Sequence, residues 1–319
     1  MKNQTILVTG GAGYIGSVTV FKLVLLDYNV IVIDNLKKGK KELVDKKAQF
    51  IEGDILDEKL LQKIFSQHKI NKVIHFAALK SAGESMQDLA SYSQNITGTI
   101  NIINKMVEHN VKDIIFSSSA AVYGEPQEDI IEETHPTNPV NFYGFTKLEA
   151  ERIIDWYVKL KDISCVSLRY FNVAGDGGLN YVDPYAENIF PIIGEVLSKK
   201  REILEVYGDD YSTRDGSCIR DYIHVEDIAS AHIKVLDLKG SHVINLGTSE
   251  GISVLELVDV FKEVAKKDVP YKITSRREGD PAMLIASNKK AKELLNWMPQ
   301  KTIKDMVEST LSVYYKQRL

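Results

Sequence analysis

Thr5-Ile6-Leu7-Val8-Thr9-Gly10-Gly11-Ala12-Gly13-Tyr14-Ile15-Gly16 decides how the rest of the chain is read. A short apolar run ends in a glycine turn, after which Val18, Val20, Phe21, Val24 and Leu25 recur at helical spacing. Strand, glycine turn and helix in that order are what a dinucleotide fingerprint requires. The turn satisfies both Gly11-x-Gly13-x-x-Gly16 and Gly10-x-x-Gly13-x-x-Gly16. Glycines there permit a tight turn, close backbone approach to a pyrophosphate and packing of helix on strand, while the helix N-terminus attracts phosphate.

The pattern repeats downstream. Val30-Ile31-Val32-Ile33 runs into Asp34, about 20 residues past the glycines, where a carboxylate accepts from ribose hydroxyls and repels a 2′-phosphate, favouring NAD over NADP. A third strand over 48–54 ends at Asp54-Ile55, placed to hold an adenine edge. Segments 73–78, 114–119 and 163–168 give three more. Strands alternating with helical segments predict an α/β fold, a Rossmann-type doubly wound parallel sheet that binds ligands at its carboxyl edge. Asp34, Asp54, Phe76, Lys80, Ser119 and Tyr143 all fall at or just past that edge. Taken singly, Asp34 and Asp54 equally suit turn caps, Lys80 a solvated lysine, and Ser117 to Ser119 turn residues. Their coincidence on one edge points to a cofactor site. His75 lies inside an apolar strand and reads as a core histidine; the other histidines lack zinc-ligand spacing, so no metal is expected.

Asn141-Phe142-Tyr143-Gly144-Phe145-Thr146-Lys147 opens a segment in which Leu148, Ala150, Ile153, Ile154 and Tyr157 keep helical spacing, with Glu149, Glu151, Arg152 and Asp155 on the other faces. One turn apart, Tyr143 and Lys147 share a face. A phenol of pKa ~10 is a poor base at neutral pH, and a fixed ammonium beside it favours the phenolate. A second such pair, Tyr157/Lys161, lies about 21 Å further along the same helix. Only Tyr143 stands at the helix's start.

With 319 residues, 44% of them hydrophobic, the chain can bury a large core and divide into two lobes. A net charge of −4 gives no basic field for nucleic acid or an anionic membrane. Two cysteines, Cys165 and Cys218, suit a reducing compartment. The first strand begins close to Met1, so no signal peptide is expected, and no apolar run approaches the ~20 residues that span a bilayer. These features predict a cytoplasmic protein. The expected division is a dinucleotide-binding domain over 1–174, with segments around 222–247 packing back on it, and a second lobe over 175–319. In that lobe Arg220 and Arg277 suit an anionic substrate, or equally surface ion pairs. Ser253-x-x-Glu256 before Leu257, Val258 and Phe261 reads as a capping box.

Together, Thr9 to Gly16, Asp34-Asn35-Leu36, Glu52 to Ile55, His75-Phe76-Ala77, Lys80, Gly83-Glu84-Ser85, Asn95, Ser117 to Ala120 with Val122-Tyr123-Gly124, Tyr143-Gly144 with Lys147, Arg169 to Asn172, Arg220 to Val225, Asn245-Leu246-Gly247 and Arg276 to Asp280 resemble the extended short-chain dehydrogenase/reductase family, most closely its UDP-hexose 4-epimerase branch. The resemblance runs nearly end to end. It implies an isomerase that epimerises UDP-glucose and UDP-galactose, or their N-acetyl forms, at C4 through a transient 4-ketose, with catalysis by Tyr143, Lys147 and Ser119. It implies NAD held at Gly10, Gly13, Tyr14, Ile15, Gly16, Asp34, Asn35, Leu36, Lys37, Lys38, Gly39, Asp54, Ile55, Phe76, Ala77, Ala78, Leu79, Lys80, Asn95, Ser119, Tyr143, Lys147 and Phe171. It implies UDP-hexose contacts at Ser119, Tyr143, Asn172, Asn188, Ile189, Glu205, Val206, Tyr207, Arg220, Arg277 and Asp280. Family members are commonly homodimers joined through helices corresponding to 85–109 and 143–160, which here implies a homodimer in galactose metabolism.

Two positions depart from the pattern. Ala121 replaces a threonine common before Val-Tyr-Gly, and Leu284 stands at the gate for N-acetylated sugars, where relatives carry tyrosine or cysteine. An NDP-sugar 4,6-dehydratase, which shares hydride removal at C4, carries an Asp-Glu pair where this chain has Ala120 and Ala121. A non-catalytic NAD-sensing regulator would have a broken Ser/Tyr/Lys set, and here the set is intact.

Overall fold

Runs of valine and isoleucine too short for helices and buried on both faces form parallel strands. The computed structural model describes residues 4–183, 188–277 and 281–316. Strands β1 (Thr5–Thr9), β2 (Asn29–Asp34), β3 (Gln49–Glu52), β4 (Lys72–His75) and β5 (Asp113–Ser119) are joined by α1 (Tyr14–Leu25), α2 (Glu58–Gln67), the single turn α3 (Ala82–Ser85) and α4 (Leu89–Glu108). After α5 (Phe142–Lys161), the strands Ser164–Tyr170 and His242–Leu246 complete a seven-stranded sheet. Its order is His242–Leu246, Ser164–Tyr170, β5, β4, β1, β2, β3. All pairings from β5 across to β3 are parallel. The winding reverses between β1 and β4, and ligands of such sheets bind outside the carboxyl ends at that point.

The strands contribute Leu7, Ile31, Ile33 and Val73 to a core against Phe65 of α2, Met106 of α4 and Ile154 of α5. Asp57, Asp88 and Asn141 cap α2, α4 and α5 by accepting first-turn N–H groups. His75 is buried between Thr9 Oγ1 (2.6 Å) and Thr99 Oγ1 (3.0 Å), as a satisfied core histidine.

The chain divides into two compact units. One takes residues up to Gly124, Thr137–Arg169 and Ala229–Ile244; the other takes Glu125–Pro136, Tyr170–Ile228 and the chain from Asn245. The boundary expected at 174/175 is therefore displaced. Asn172–Ala174 pairs with Tyr222–His224, within the second unit, and Ile130–Ile131 pairs with Ile285–Ala286 there. Residues 229–244 belong to the first unit.

Within the second unit, Leu204–Tyr207 runs parallel to Tyr271–Thr274, and Ile219–Arg220 lies between Ile252–Ser253 and Met283–Ala286. Helices Ile189–Leu197, Val254–Ala265 and Ile303–Lys316 cover its core around Phe190, Leu257, Phe261 and Leu311. The Ser253/Glu256 capping box is present.

A Cβ on Gly16 would lie 2.3 Å from Gly10 O, whereas one on Gly13 would meet only that same oxygen at 3.3 Å. Gly16→Ala is expected to destabilise folding by ~2 kcal/mol or more and Gly13→Ala by under ~1 kcal/mol, measured by denaturant unfolding.

Candidate functional site

Gly10 turns at φ +71°, and a Cβ there would lie 2.6 Å from Ala77 N, so the ends of β1 and β4 meet backbone to backbone. Gly13 is the N-cap of α1, with no side-chain cap and no acidic residue in the first turn. The positive end of that helix is thus retained for an anion, beside half-buried Tyr14 and Ile15. Asp34 Oδ2 accepts from Ala12 N (3.0 Å) and Oδ1 from Leu36 N (2.9 Å). Burial pushes its carboxyl up against those two hydrogen bonds. Each oxygen keeps a lone pair for a hydroxyl donor. Asn35 Nδ2 donates to Asp54 Oδ2 at 2.8 Å, and Lys37 Nζ lies 3.6 Å from the same oxygen. Lys38 lies 3.8 Å from Glu84, and Gly39 packs against the Asp34 carboxylate. Half-buried Ile55 packs on Gly98 of α4. Within the first unit, the turn, the uncapped helix and the acidic strand end together fit a dinucleotide.

Asn95, expected at the cofactor, is tied to the segment past β4. Its Oδ1 accepts from Leu79 N (2.8 Å) and its Nδ2 donates to Leu79 O (2.9 Å) and Thr146 Oγ1 (3.2 Å). Both amide hydrogens are used, so the buried side chain fixes the Phe76–Lys80 segment past β4. Phe76 packs on His232 at 4.7 Å between centroids, Ala77 and Ala78 are half buried, and Lys80 is exposed.

The start of α5 is held from two sides. Asn141 Oδ1 accepts from Gly144 N (2.8 Å), and Ser85 Oγ from Tyr143 N (3.0 Å). A Cβ on Gly144 would sit 2.4 Å from Ala121 O, so the helix end lies directly on the turn after β5. Ser119 lies beside the Tyr143 phenol, and its Oγ accepts from Ala121 N at 3.2 Å. Lys147 Nζ donates to Ser117 O (2.7 Å) and lies 5.0 Å from the Phe116 ring centroid. The pair Tyr157/Lys161 is engaged differently, Tyr157 donating to Asn104 at 2.6 Å.

In the protein by itself the expected depression of the phenol does not appear. Burial pushes Tyr143 up, and the opposing influence is the hydrogen bond from Ser119. Burial brings Lys147 down to about 7, with Glu151 opposing. Glu151, placed by the sequence off the apolar stripe, is buried: it accepts from Arg169 Nε (3.0 Å), Arg169 Nη2 (2.6 Å) and Ser118 Oγ (2.5 Å). Its spacing four residues past Lys147 on the Tyr143 face was the available signal.

In the second unit, the Arg277 guanidinium lies over the Tyr207 ring at 4.5 Å, and Tyr207 donates to Glu205 at 3.1 Å. Val206 points into the core between them, and its carbonyl accepts from Thr274 Oγ1 at 3.3 Å. Arg220 is buried, with Nη1 donating to the carbonyls of Ile219 (2.9 Å) and Pro281 (2.8 Å). Asn172 Nδ2 donates to Asp221 O and Asn188 Nδ2 to Val173 O, both at 3.2 Å. Half-buried Ile189 starts the helix that Asn188 caps, and Phe171 is buried with its N–H on Leu246 O. Asp280 lies outside the described residues. Among the described residues no cluster of three or more His, Cys, Asp or Glu could hold a metal, and no helix is long and apolar enough to cross a membrane.

Residues 6–247 match the family described as NAD dependent epimerase/dehydratase. The chain belongs to that family. A UDP-glucose 4-epimerase of Halalkalibacterium halodurans is 45% identical over 316 residues, which cover 96% of this chain and 94% of the relative. A solved UDP-glucose 4-epimerase has a TM-score of 0.95 at 41% identity, over 99% of this chain and 98% of that one. The Bifidobacterium longum UDP-glucose 4-epimerase, solved in complex with NAD+ and UDP, has a TM-score of 0.92 at 40% identity, over 99% of both chains. For an NAD dependent epimerase/dehydratase, the fit of the glycine turn and Asp34 to a dinucleotide is the expected one.

Lys147 supplies a pH test. Between about 7 and its ordinary value of 10.5 the folded protein sheds a proton that the unfolded chain keeps, so stability rises with pH across that window. Lys147→Met should be more stable than the unsubstituted protein near pH 6, by on the order of 3 kcal/mol, with the gap closing towards pH 10. Denaturant unfolding without cofactor at several pH values checks this.

Proposed function

We propose that this chain inverts C4 of UDP-hexoses, interconverting UDP-glucose and UDP-galactose with NAD as resident cofactor. The observation that carries the reading is the convergence of Ser119 and Tyr143 at the sheet's carboxyl edge, with Lys147 one turn along the same helix and fixed on Ser117 O. Gly10, Gly13, Tyr14, Ile15 and Gly16 would hold the pyrophosphate, Asp34 to Gly39 a ribose, Asp54 and Ile55 the adenine, and Phe76 to Lys80 the nicotinamide half. NAD held there would supply a reversible hydride acceptor for C4.

The chain's own residues move the proton. Tyr143 Oη takes it from the C4 hydroxyl and gives it back, and Ser119 hydrogen-bonds the same oxygen as it becomes a carbonyl. A charged Lys147 lowers the phenol's pKa towards the working range. Arg277, Tyr207, Glu205, Asn172, Asn188, Ile189 and Asp280 would hold the nucleotide, with the buried Arg220 guanidinium supplying positive charge for the pyrophosphate. Hydride and proton both return, so no net oxidation occurs. Ala120 and Ala121 offer neither acid nor base, which disfavours a 4,6-dehydratase.

The reading extends to a homodimer. Phe145, Trp156 and Leu160 of α5 and Leu89 of α4 are exposed large apolar side chains, on the helices expected to join two copies. Two free buried cysteines suit a cytoplasmic place in galactose metabolism. Half-buried Leu284, in register with Arg220, is the residue on which acceptance of N-acetyl sugars turns.

Purified protein incubated separately with UDP-galactose and UDP-N-acetylgalactosamine, without added NAD, should yield the C4 epimers on chromatography. A 4-keto-6-deoxy product would instead assign a dehydratase. Tyr143→Phe should lower kcat about 1,000-fold while NAD stays bound, and retained turnover would remove Tyr143 as the base.

A further inference from the structure

Three ionisable side chains are buried together where α5 lies on β5 and its neighbouring strand: Lys147, Glu151 and Arg169. The mechanism above uses only the first. Glu151 and Arg169 form a two-pronged ion pair with side chains 8% and 6% exposed, and Ser118 Oγ donates a third hydrogen bond to the carboxylate. Arg169 also lies over the Tyr123 ring at 4.8 Å, and its Nη1 has no hydrogen-bond partner among the described residues. As a device for folding this is poor. Apolar side chains of similar volume commonly stabilise as well as a buried ion pair or better, and an unmatched donor adds to the cost.

The placement of the pair has another consequence. Lys147 and Glu151 are one turn apart on one helix, about 5–6 Å between Cβ atoms. Lys147 donates to the carbonyl of Ser117 and Glu151 accepts from the hydroxyl of Ser118, so consecutive residues of β5 hold the ammonium and the carboxylate side by side. Arg169 reaches the carboxylate from the adjacent strand.

Of the other ionisable groups around them, His75 and Cys165 are uncharged near neutral pH. His75 on β4 is held down at about 3 by burial and by Lys147; Cys165 is pushed up to about 12 by burial, with Glu151 adding to it. Tyr123 is buried, Phe116 offers its ring, and Asp155 is exposed and paired with Lys159. Glu151 is left as the anion facing Lys147, with Arg169 on the carboxylate.

We propose that Glu151 is a positioning residue: its carboxylate, clamped by Arg169 and Ser118, keeps Lys147 in the ammonium form that lets Tyr143 act as the base. The inference rests on the roles given above to Tyr143 and Lys147, and it adds a charge supplied one layer beneath them.

Glu151→Gln keeps the side chain's size and removes its charge. The alkaline limb of the kcat–pH profile should move down by about one to two pH units, with KM for UDP-galactose changed less than about twofold. Because Glu151→Gln strands Arg169, a double variant, Glu151→Gln with Arg169→Met, removes both charges and tests the same point in a folded protein. Titration of isotope-labelled lysine by NMR, with the Lys147 signal identified by its loss in Lys147→Met, should show a downward displacement in both variants, smaller in the double variant, where loss of the Arg169 cation offsets part of the loss of the Glu151 anion. A folded double variant with the original alkaline limb and the original Lys147 titration would overturn the proposal and leave the ion pair a structural one. Failure of the proposed function is distinguishable, since it appears as absent turnover in the unsubstituted protein, while the lysine titration still reads the effect of Glu151.

Discussion

A buried ammonium tied to a strand-end carbonyl, Lys147 Nζ on Ser117 O, sets where α5 meets the sheet. An amino group can be taken out of water only if it gains partners or gives up its charge, and here burial has drawn it to about 7. Everything that matters at the edge follows from that contact. It places Tyr143 one turn back along the helix, on Ser119, and Glu151 one turn forward, on Ser118. Three consecutive serines of β5 thus face three side chains of one helix, Ser117 through its carbonyl and Ser118 and Ser119 through their side chains.

That arrangement needs a helix that starts at one position and no other. Asn141 caps it, Ser85 takes the N–H of Tyr143, and Gly144 lets the first turn lie on the Ala121 carbonyl. On the cofactor side the equivalent constraint is Gly10 against Ala77, which brings β1 and β4 together where the winding reverses, with Asn95 pinning the following segment through both backbone groups of Leu79. The two constraints share a residue, since Thr146 accepts from Asn95 and donates to the carbonyl of Tyr143. Cofactor edge and helix start are therefore one hydrogen-bonded unit.

The second unit is organised around a carboxylate in the same manner. Asp221 is fully buried; it accepts from Thr248 N and Oγ1 through Oδ1, and from Ser249 N and Ala286 N through Oδ2. Burial pushes its carboxyl up to about 6 against those four hydrogen bonds. Its role is to join three segments of chain beside Arg220, whose guanidinium is held by the carbonyls of Ile219 and Pro281. The strand Leu204–Tyr207 meanwhile sends Glu205 and Tyr207 outward and Val206 inward, so the nucleotide-facing chemistry expected of three residues resides in two side chains.

The sequence by itself determined the strand, glycine turn and helix, the acidic end of β2, the Ser253/Glu256 capping box and the shared helix face of Tyr143 and Lys147, because each is written in local period or in residues with special backbone or capping chemistry. Only the tertiary structure decided that Glu151 is buried, that Asn95 holds the backbone of Leu79, that Arg220 is spent partly on carbonyls, and that residues 125–136 and 229–244 change units. Those outcomes depend on which faces meet across long stretches of chain. Burial and long-range pairing set the charge state and the partners of a side chain, and neither is encoded in its immediate neighbours.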